Sequence, residues 1–318
     1  MGLFKKIIKL IFDSDYRFDI LSSYHFYDNM SDEKYLKKKY KIKMGKDLDL
    51  SNPQTYNEKL QWLKLYDHNH QYTVLVDKYK VREYISQKMG EQYLIPMVGA
   101  WDSVDEIDFN KLPNQFVIKC NHNSGLGMYI CKDKSKLDEK KVKRELKKGL
   151  EQNYYLTGRE WPYKNVPRKI VCEQYMIDKT HNSLPDYKFY CFDGIVKMVG
   201  IYQDRNSATS TTADYFDSEF KWLDFVWGYP HAKKKPEKPN KFEEMIRFAE
   251  KLSSGFKEIR VDLYLCNDKI YFGELTFFDG SGFEKIIPES FDVMFGKWIN
   301  LDMDNNGNNL KNINKGEC

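Results

Sequence analysis

Apolar residues recur with two different periods along the chain, and the change comes near residue 93. Residues 31–90 carry apolar side chains at helical spacing, as in VLVDKYKVREYISQKMG. Within this part, TYNE at 55–58 matches a capping box ahead of KLQWLKLYD. From Tyr93 onward, short apolar runs such as YLIPMVGAW, QFVIKC and GMYICK are typical of strands. The pattern predicts a helical N-terminal region followed by a mixed region of strands and helices.

The mixed region combines further strands with two predicted helices. The helices are KLDEKKVKRELKKGLEQ, whose basic run is typical of a solvated face, and FEEMIRFAEKLSSG. The further strands are KIVCEQYM, DYKFYCFDG, IVKMVGIYQD, IRVDLYLC and IYFGELTFF, with hairpin turns at FDG and CNDK. The asparagine-rich residues 302–318 predict a flexible tail.

Residues 3–12 form a separate predicted helix with one apolar stripe. The stripe holds Leu3, Phe4, Ile7, Ile8 and Ile11, and the basic residues elsewhere are Lys5, Lys6 and Lys9. A basic amphipathic helix of this kind can lie on an anionic membrane surface. It can equally pack its apolar stripe on its own protein. The sequence leaves both interpretations open.

Composition and charge exclude several classes of protein. The 318 residues carry a net charge of +4 with acids and bases interleaved, whereas a general nucleic-acid binder would show a clustered basic excess. No stretch of about 18 apolar residues is present, so no membrane span is expected. The first residues lack the cleavage site of a signal peptide, and the six cysteines form no CxxC pair. We expect a cytoplasmic protein with reduced thiols and no nucleic-acid partner.

Two acidic residues interrupt apolar strands near the C-terminal end. Asp262 lies in RVDLYLC and Glu274 in YFGELTFF, and the turn CNDK makes these strands antiparallel neighbours. Carboxylates are rarely buried without a cation, and two of them beside phosphate oxygens form a typical Mg²⁺ site. The alternative is an ion pair between Arg260 and Asp262, with Glu274 bound elsewhere.

Two other segments suit phosphate binding. Lys119 ends the strand FVIKC, and the loop CNHNSGLG follows with Gly125 and Gly127. Loop amides and a lysine can surround a phosphate, although an ordinary hairpin loop would use the same residues. In DYKFYCFDG, Asp186 and Lys188 lie on one strand face, where the lysine either converges on phosphates or is simply exposed.

The order of these motifs resembles the ATP-grasp superfamily. In detail the chain resembles its TupA-like branch, which is associated with teichuronopeptide and capsular polysaccharide synthesis. The resemblance covers about residues 31–292 and is carried by NPQTYNEKLQWLKLYD, DKYKVREYI, LPNQFVIKCNHNSG and DYKFYCFDG. It implies an α+β fold, the ATP-grasp fold, in which two α+β subdomains clasp ATP. The implied parts are a helical region at 1–92, a small subdomain with a mobile Gly-rich loop at 93–176, a large subdomain with the metal site at 177–301, and the tail at 302–318.

The resemblance implies an ATP site built from three groups of residues. Those that would contact the phosphates are Lys78, Lys119 and Lys188. Those of the loop 121–127 that would close over the triphosphate are Asn121, Ser124, Gly125 and Gly127. Those that would hold the nucleoside are Glu173, Gln174, Tyr175 and Met176 at the adenine, with backbone contacts from Gln174 and Met176, and Asp186 at the ribose.

The resemblance also implies a metal site at the paired acids. Arg260 would steady the transferring phosphoryl group while Asp262 and Glu274 hold Mg²⁺. Many members of the superfamily carry an asparagine two residues after the metal-bridging glutamate, where it completes a second metal site. This chain has Thr276 at that position, so it departs from the pattern of two full metal sites.

The activity that the resemblance implies is ATP-dependent ligation of a carboxylate to an amine through an acyl phosphate. The expected substrates are a uronic-acid-type carboxylate, in a sugar or glycan acceptor, and an amino acid. Arg205 is a candidate for gripping a substrate carboxylate. The expected location is the cytoplasm, at the inner membrane face if residues 3–12 bind lipid. The alternative function is a glycosyltransferase of polysaccharide synthesis, which needs a DxD motif at a strand end. The DxD motifs at 47–49, among helices, and at 302–304, in the tail, do not have this context.

Overall fold

A computed structural model describes residues 3–178, 184–204, 211–301 and 303, with side chains from Ile8 onward. Its helices are α1 Leu3–Phe12, α2 Ser14–Ser23, α3 Asp32–Met44, α4 Tyr56–Tyr66, α5 Gln71–Val76, α6 Val81–Lys88, α7 Glu139–Glu151, α8 Tyr155–Gly158, α9 Phe242–Ser253 and α10 Glu289–Trp298. Its strands are β1 Met97–Trp101, β2 Phe116–Cys120, β3 Met128–Cys131, β4 Ile170–Gln174, β5 Asp186–Phe192, β6 Ile195–Gln203, β7 Thr212–Asp217, β8 Trp222–Leu223, β9 Val226–Trp227, β10 Glu258–Cys266, β11 Lys269–Thr276 and β12 Ile286–Ile287. The predicted change from helices to a mixed region near residue 93 is confirmed.

The chain divides into two compact units. One comprises Met1–His68, Tyr155–Trp161 and Phe278–Cys318, and the other comprises Asn69–Tyr154 and Pro162–Phe277. The predicted helical region 1–92 contributes to both units, because α5 packs on β11 and α6 packs on the turn at residues 91–93. The subdomain limits implied by the resemblance stay a prediction.

In the first unit, α4 begins at the predicted capping box. The Thr55 hydroxyl accepts a hydrogen bond from the Glu58 amide at 3.2 Å, and the Glu58 carboxylate accepts one from the Thr55 amide at 3.0 Å. Helix α4 then packs against α10, where Asp292 accepts hydrogen bonds from the amide and the side chain of Asn57, both at 3.1 Å. The capping box therefore fixes the start of a helix that buries polar as well as apolar residues.

In the second unit, a four-stranded antiparallel sheet has the order β1-β4-β2-β3. The apolar side of α7 covers this sheet and brings Val142 and Leu146 into one cluster with Phe116 and Ile118. The lysine-rich side of α7 is exposed, as its composition predicts. This packing places the Gly-rich loop between β2 and β3 beside the end of α7.

The second sheet of this unit has six strands in the order β11-β10-β5-β6-β7-β8, with antiparallel neighbours. Helix α9 packs on β5, β6 and β10, and the rings of Phe189 and Phe242 lie 6.3 Å apart. Because successive strand residues point to opposite faces, Lys188 projects from the face that α9 leaves open. Asp262 lies opposite Lys188 on one side and opposite Glu274 on the other, so these three side chains share that face.

The close packing of the loop against α7 predicts different costs for alanine at its two glycines. Gly127 has φ +69°, and a Cβ there would lie 2.8 Å from Cys120 Sγ and 2.9 Å from Gly149 Cα. Gly125 has φ +84°, but a Cβ there would meet nothing within 4 Å. We expect Gly127→Ala to lower the free energy of unfolding by about 2–4 kcal/mol, the sum of backbone strain and overlap, and Gly125→Ala by about 1 kcal/mol from strain alone. Urea denaturation of both variants measures this, and equal losses would contradict the packing.

Candidate active site

The second unit contains a cavity of about 470 Å³ with one apolar part and one charged part. The apolar and aromatic lining residues include Ile95, Val117, Met128, Ile130, Tyr175, Ile177 and Leu184. The charged lining residues are Lys78, Lys119, Glu173, Asp178, Asp186, Asp262 and Glu274. Such a division suits a ligand that has a flat apolar group at one end and charge at the other.

The charged part centres on Asp262, which is buried on β10, between β11 and β5 of the six-stranded sheet. Its Oδ1 accepts from Arg260 Nε at 2.6 Å, and its Oδ2 accepts from Arg260 Nη2 at 2.8 Å and from Lys188 Nζ. Arg260 Nη2 also donates to Glu274 Oε1 at 3.1 Å. The ion pair between Arg260 and Asp262 that the sequence offered as an alternative is therefore formed. Glu274 joins it through Arg260 and is also ion-paired with Lys78.

Lys78 connects this charged group to the Gly-rich loop. Its backbone amide donates to Asn121 O at 3.2 Å and its Nζ donates to Asn123 O at 2.8 Å. The same Nζ lies 3.6 Å from Glu274 Oε2. Burial lowers the pKa of Lys78, and the negative charge of Glu274 opposes that shift.

A second charged group lies on the four-stranded sheet around Glu173. Lys119 Nζ donates to its Oε2 at 2.7 Å, and Arg82 Nη1 donates to its Oε1 at 3.0 Å. Arg82 also donates to Ile95 O at 2.8 Å, which fixes the guanidinium. Sequence reasoning missed Arg82, although it stands one helical turn after Lys78 in DKYKVREY and helical spacing could have indicated it.

The Gly-rich loop is anchored in its first half and exposed at its tip. Asn121 is buried and bonds Asp77 at 2.7 Å, Pro167 O at 2.8 Å and the Lys169 amide at 2.7 Å. Asn123 is buried and donates to Gly149 O at 3.2 Å. Residues 124–126 are exposed. These bonds hold Asn121 and Asn123 in place, and the predicted closure of loop 121–127 over the triphosphate stays a prediction.

The structure brings most of the predicted ATP residues together. Those that line the cavity are Lys78, Lys119, Ser124, Gly125, Glu173, Gln174, Tyr175, Met176 and Asp186. Those that support it without lining it are Asn121, Gly127, Lys188 and Arg260. The Gln174 amide donates to Pro96 O at 3.0 Å, so this backbone donor is already engaged.

Thr276 pairs with Arg260 across β10 and β11 and does not line the cavity. Arg205 lies outside the described residues. The predicted roles of both residues stay predictions.

The paired acids fit a divalent cation. Arg260 Nη2 lies 2.8 Å from Asp262 Oδ2 and 3.1 Å from Glu274 Oε1, so one oxygen of each carboxylate converges on the same point. Carboxylate oxygens are the hard ligands that Mg²⁺ prefers. Within the described ranges, no group of three histidine, cysteine or acidic residues could hold a metal. The protein therefore offers two ligands, and the remaining ones would come from phosphate and water.

A sequence model of the family described as TupA-like ATPgrasp matches residues 58–300. The chain belongs to this TupA-like ATP-grasp family. The resemblance seen in the sequence and the predicted α+β ATP-grasp fold are thereby confirmed. No curated protein sequence matches this TupA-like chain.

Solved structures similar to this TupA-like chain are ATP-grasp and D-alanine ligase structures at low identity. D-alanine–D-alanine ligase from Bacillus anthracis, complexed with ATP, has 15% identity and a TM-score of 0.38 over 64% of this chain and 54% of that chain. The Helicobacter pylori D-alanine–D-alanine ligase has 16% identity and a TM-score of 0.38 over 71% and 63%. A RimK domain ATP-grasp protein from Sphaerobacter thermophilus has 9% identity and a TM-score of 0.40 over 74% and 70%. The TupA-like chain thus spans between half and two thirds of the two ligases.

The ion pairs of Glu274 predict a pH dependence of stability. Burial would raise its pKa, but the positive charges of Lys78, Arg260, Lys188 and Lys119 lower that pKa from 4.5 to about 2. Because the pKa in the folded chain is depressed, the pairing stabilises the fold above pH 4.5 and is lost as the pH falls toward 2. The Glu274 side chain is 38% exposed, so solvent screening reduces the size of the effect.

Glu274→Gln cannot titrate, so its stability deficit relative to wild type should shrink as the pH falls from about 5 to about 3. Urea unfolding of both proteins at a series of pH values measures the difference. Glu151→Gln, an exposed change on α7, is the control for the general acid sensitivity of the chain. A deficit for Glu274→Gln that stays constant over this range would argue against the pairing.

Proposed function

We propose that this protein is an ATP- and Mg²⁺-dependent ligase that joins a carboxylate to an amine. The observation that carries the proposal is a cavity with an apolar part and a charged part. Lys78 and Lys119 line it, and Arg260 and Lys188 support two carboxylates, of which one oxygen each converges on the same point. Phosphate groups bind to lysine and arginine side chains, and an adenine ring binds in an apolar pocket. Two adjacent carboxylates bind a metal ion or another cation. The family to which the chain belongs supports the same combination.

The side chains suggest how this reaction would proceed. A substrate carboxylate oxygen attacks the γ-phosphorus of ATP, and ADP leaves with the electron pair of the broken bond to give an acyl phosphate. The lysines and Arg260 stabilise the negative charge on the transferring group, which is electrostatic catalysis by fixed cations. Mg²⁺ held by Asp262 and Glu274 would supply further neutralisation of the phosphates. An amine then attacks the acyl carbon, phosphate leaves, and the amine loses a proton to give the amide.

The substrate classes come from the family resemblance. The carboxylate would be a uronic-acid-type group of a sugar or glycan, and the amine would be an amino acid, in the synthesis of a capsule or teichuronopeptide. Arg205 is the proposed contact for a substrate carboxylate, because a guanidinium binds a carboxylate through two parallel hydrogen bonds. Cell-surface glycans are commonly built on lipid carriers, so contact with a membrane would bring such an acceptor within reach.

The exposed apolar residues of the first unit support such a contact. Ile8, Ile11 and Phe12 of α1 are 41%, 58% and 82% exposed, and Tyr24 and Phe26 are 79% and 70% exposed. Ile11 and Phe12 therefore have more than half of their surface uncovered by the chain. Among the described residues, no helix is long and apolar enough to cross a bilayer. We propose that α1 lies on an anionic lipid surface in the cytoplasm, with its apolar side in the interface and its lysines near the headgroups.

ADP formation from ATP should require both a uronic-acid acceptor and an amino acid, in a screen of amino acids against defined acceptors. Lys119→Met should weaken binding of a non-hydrolysable ATP analogue about 10- to 100-fold, because a charge-assisted contact contributes about 1.5–3 kcal/mol. Lys269→Met, an exposed change at the end of β11, is the matched control. Analogue affinity unchanged in Lys119→Met, or sugar transfer from nucleotide sugars without ADP formation from ATP, would refute the proposal.

Changing Lys5, Lys6 and Lys9 together to Gln should weaken binding to anionic vesicles, because each lysine near such a surface contributes about 1 kcal/mol. Vesicle co-sedimentation at low and high salt measures this, with neutral vesicles as the comparison. Changing the exposed Lys140, Lys141 and Lys147 of α7 to Gln removes equal charge elsewhere and should leave binding unchanged. Equal loss in both triple variants, or no binding by the wild type, would exclude α1 as the contact.

A further inference from the structure

The two candidate metal ligands are already neutralised by cations of the chain itself. Both oxygens of Asp262 are engaged by Arg260, and Lys188 adds a second donor to Oδ2. Glu274 Oε1 accepts a hydrogen bond from Arg260 Nη2 at 3.1 Å, and Glu274 Oε2 lies 3.6 Å from Lys78 Nζ. Three cations therefore surround two carboxylates, and positive charge exceeds negative charge at the point where a metal would bind.

Burial makes this arrangement difficult to open. Arg260, Lys188 and Asp262 are 7%, 4% and 4% exposed, so water screens their charges poorly. Removing one partner from a buried, hydrogen-bonded ion pair leaves an uncompensated charge at a high cost in free energy. A divalent cation that arrives alone would have to separate Arg260 from both carboxylates without offering the guanidinium a new anion.

The number of ligands leads to the same expectation. The described part of the chain contains no group of three residues that could hold a metal, so Asp262 and Glu274 would act as a pair. Mg²⁺ requires six oxygen ligands in near-octahedral geometry and is commonly held by one or two carboxylates plus substrate phosphates. Nucleotide phosphates would supply the missing oxygens and also new anionic partners for Lys78, Lys188 and Arg260.

We propose that Arg260 is an internal counter-cation that excludes divalent metal from the free protein, so that the metal enters only together with the nucleotide. This inference rests on the proposed function, because it takes Asp262 and Glu274 as the metal ligands. It adds a second role for Arg260 before any phosphoryl transfer. The metal affinity of the free protein is set by the release of Arg260 from the two carboxylates.

The test is a Mn²⁺ titration of the full chain with and without a non-hydrolysable ATP analogue. Enhancement of water proton relaxation distinguishes protein-bound Mn²⁺ from Mn²⁺ on the free analogue. Wild type should bind Mn²⁺ at this site only with the analogue. Arg260→Met should bind Mn²⁺ without nucleotide at least about tenfold more tightly than wild type, because one positive charge next to the metal is gone.

Two variants make the comparison specific. Arg260→Lys keeps the charge and should remain as weak as wild type without nucleotide. Arg82→Met removes an arginine from Glu173, a carboxylate of the same cavity. Within the described ranges Arg82 pairs with Glu173 alone and does not bridge two acids, so this variant should gain no affinity for Mn²⁺. A gain in Arg82→Met equal to that in Arg260→Met would show that any loss of positive charge in the cavity suffices and would overturn the role of Arg260.

The remaining outcomes separate this inference from the proposed function. Tight Mn²⁺ binding by wild type without nucleotide, or equal affinity of wild type and Arg260→Met, would overturn the inference and leave the ligand assignment intact. No binding even with the analogue would refute the ligand assignment, and with it the proposed function. If Arg260→Met does not fold, Arg260→Gln removes the same positive charge with a polar side chain and takes its place in the comparison.

Discussion

A carboxylate that is buried on a sheet face is stable only beside a cation. The structure of the site around Asp262 follows from this constraint, because Arg260 and Lys188 both bind that carboxylate. Strand β10 lies between β5 and β11, so the flanking strands supply Lys188 on one side and Glu274 on the other. Arg260, two residues earlier on the same face, bridges the two acids. A slip of one residue in register would turn Asp262 toward the face that α9 covers, where the Phe189 ring lies. The charged residues therefore help to fix the register that brings them together.

The four-stranded sheet also carries a buried carboxylate that is neutralised by cations. Glu173 is buried and bound by Lys119 and Arg82, which come from β2 and α6. The six-stranded sheet thus presents the ion-paired Asp262 and Glu274 toward the cavity, and the four-stranded sheet presents Glu173 together with Lys119. Four cations, from Lys78, Arg260, Lys188 and Lys119, act on Glu274, which suits the binding of an anionic group beside this carboxylate.

Hydrogen bonds to Asp77 and from Lys78 fix the first half of the Gly-rich loop. Asn121, at the start of the Gly-rich loop, is hydrogen-bonded to Asp77 and to Pro167 and Lys169, which precede β4. Lys78 Nζ donates a hydrogen bond to the carbonyl oxygen of Asn123. The exposed tip at residues 124–126 is left as the part that can respond to a ligand. A site with fixed cations and one adaptable loop tip suits phosphoryl transfer, in which catalysis is mainly positioning and charge stabilisation.

The sequence by itself determined the features that depend on near neighbours. The capping box at Thr55, the hairpin that sets Asp262 against Glu274, the exposed side of α7 and the family motifs all follow from periods and turns of a few residues. Local spacing suffices there because a turn fixes which residues face each other.

Only the tertiary structure decided the partners that come from distant parts of the chain. Arg82 reaches Glu173 across 91 residues, and nothing in either segment indicates that pairing. Spacing offered either a metal site or an ion pair at Asp262, whereas the folded chain shows one arginine bound to both acids. The exposure of Ile11 and Phe12 could not be predicted either, since an apolar stripe has the same pattern whether it meets protein or lipid. In each case the contact partner of a side chain depends on which surfaces meet after folding, and this cannot be inferred from the residues next to it in the sequence.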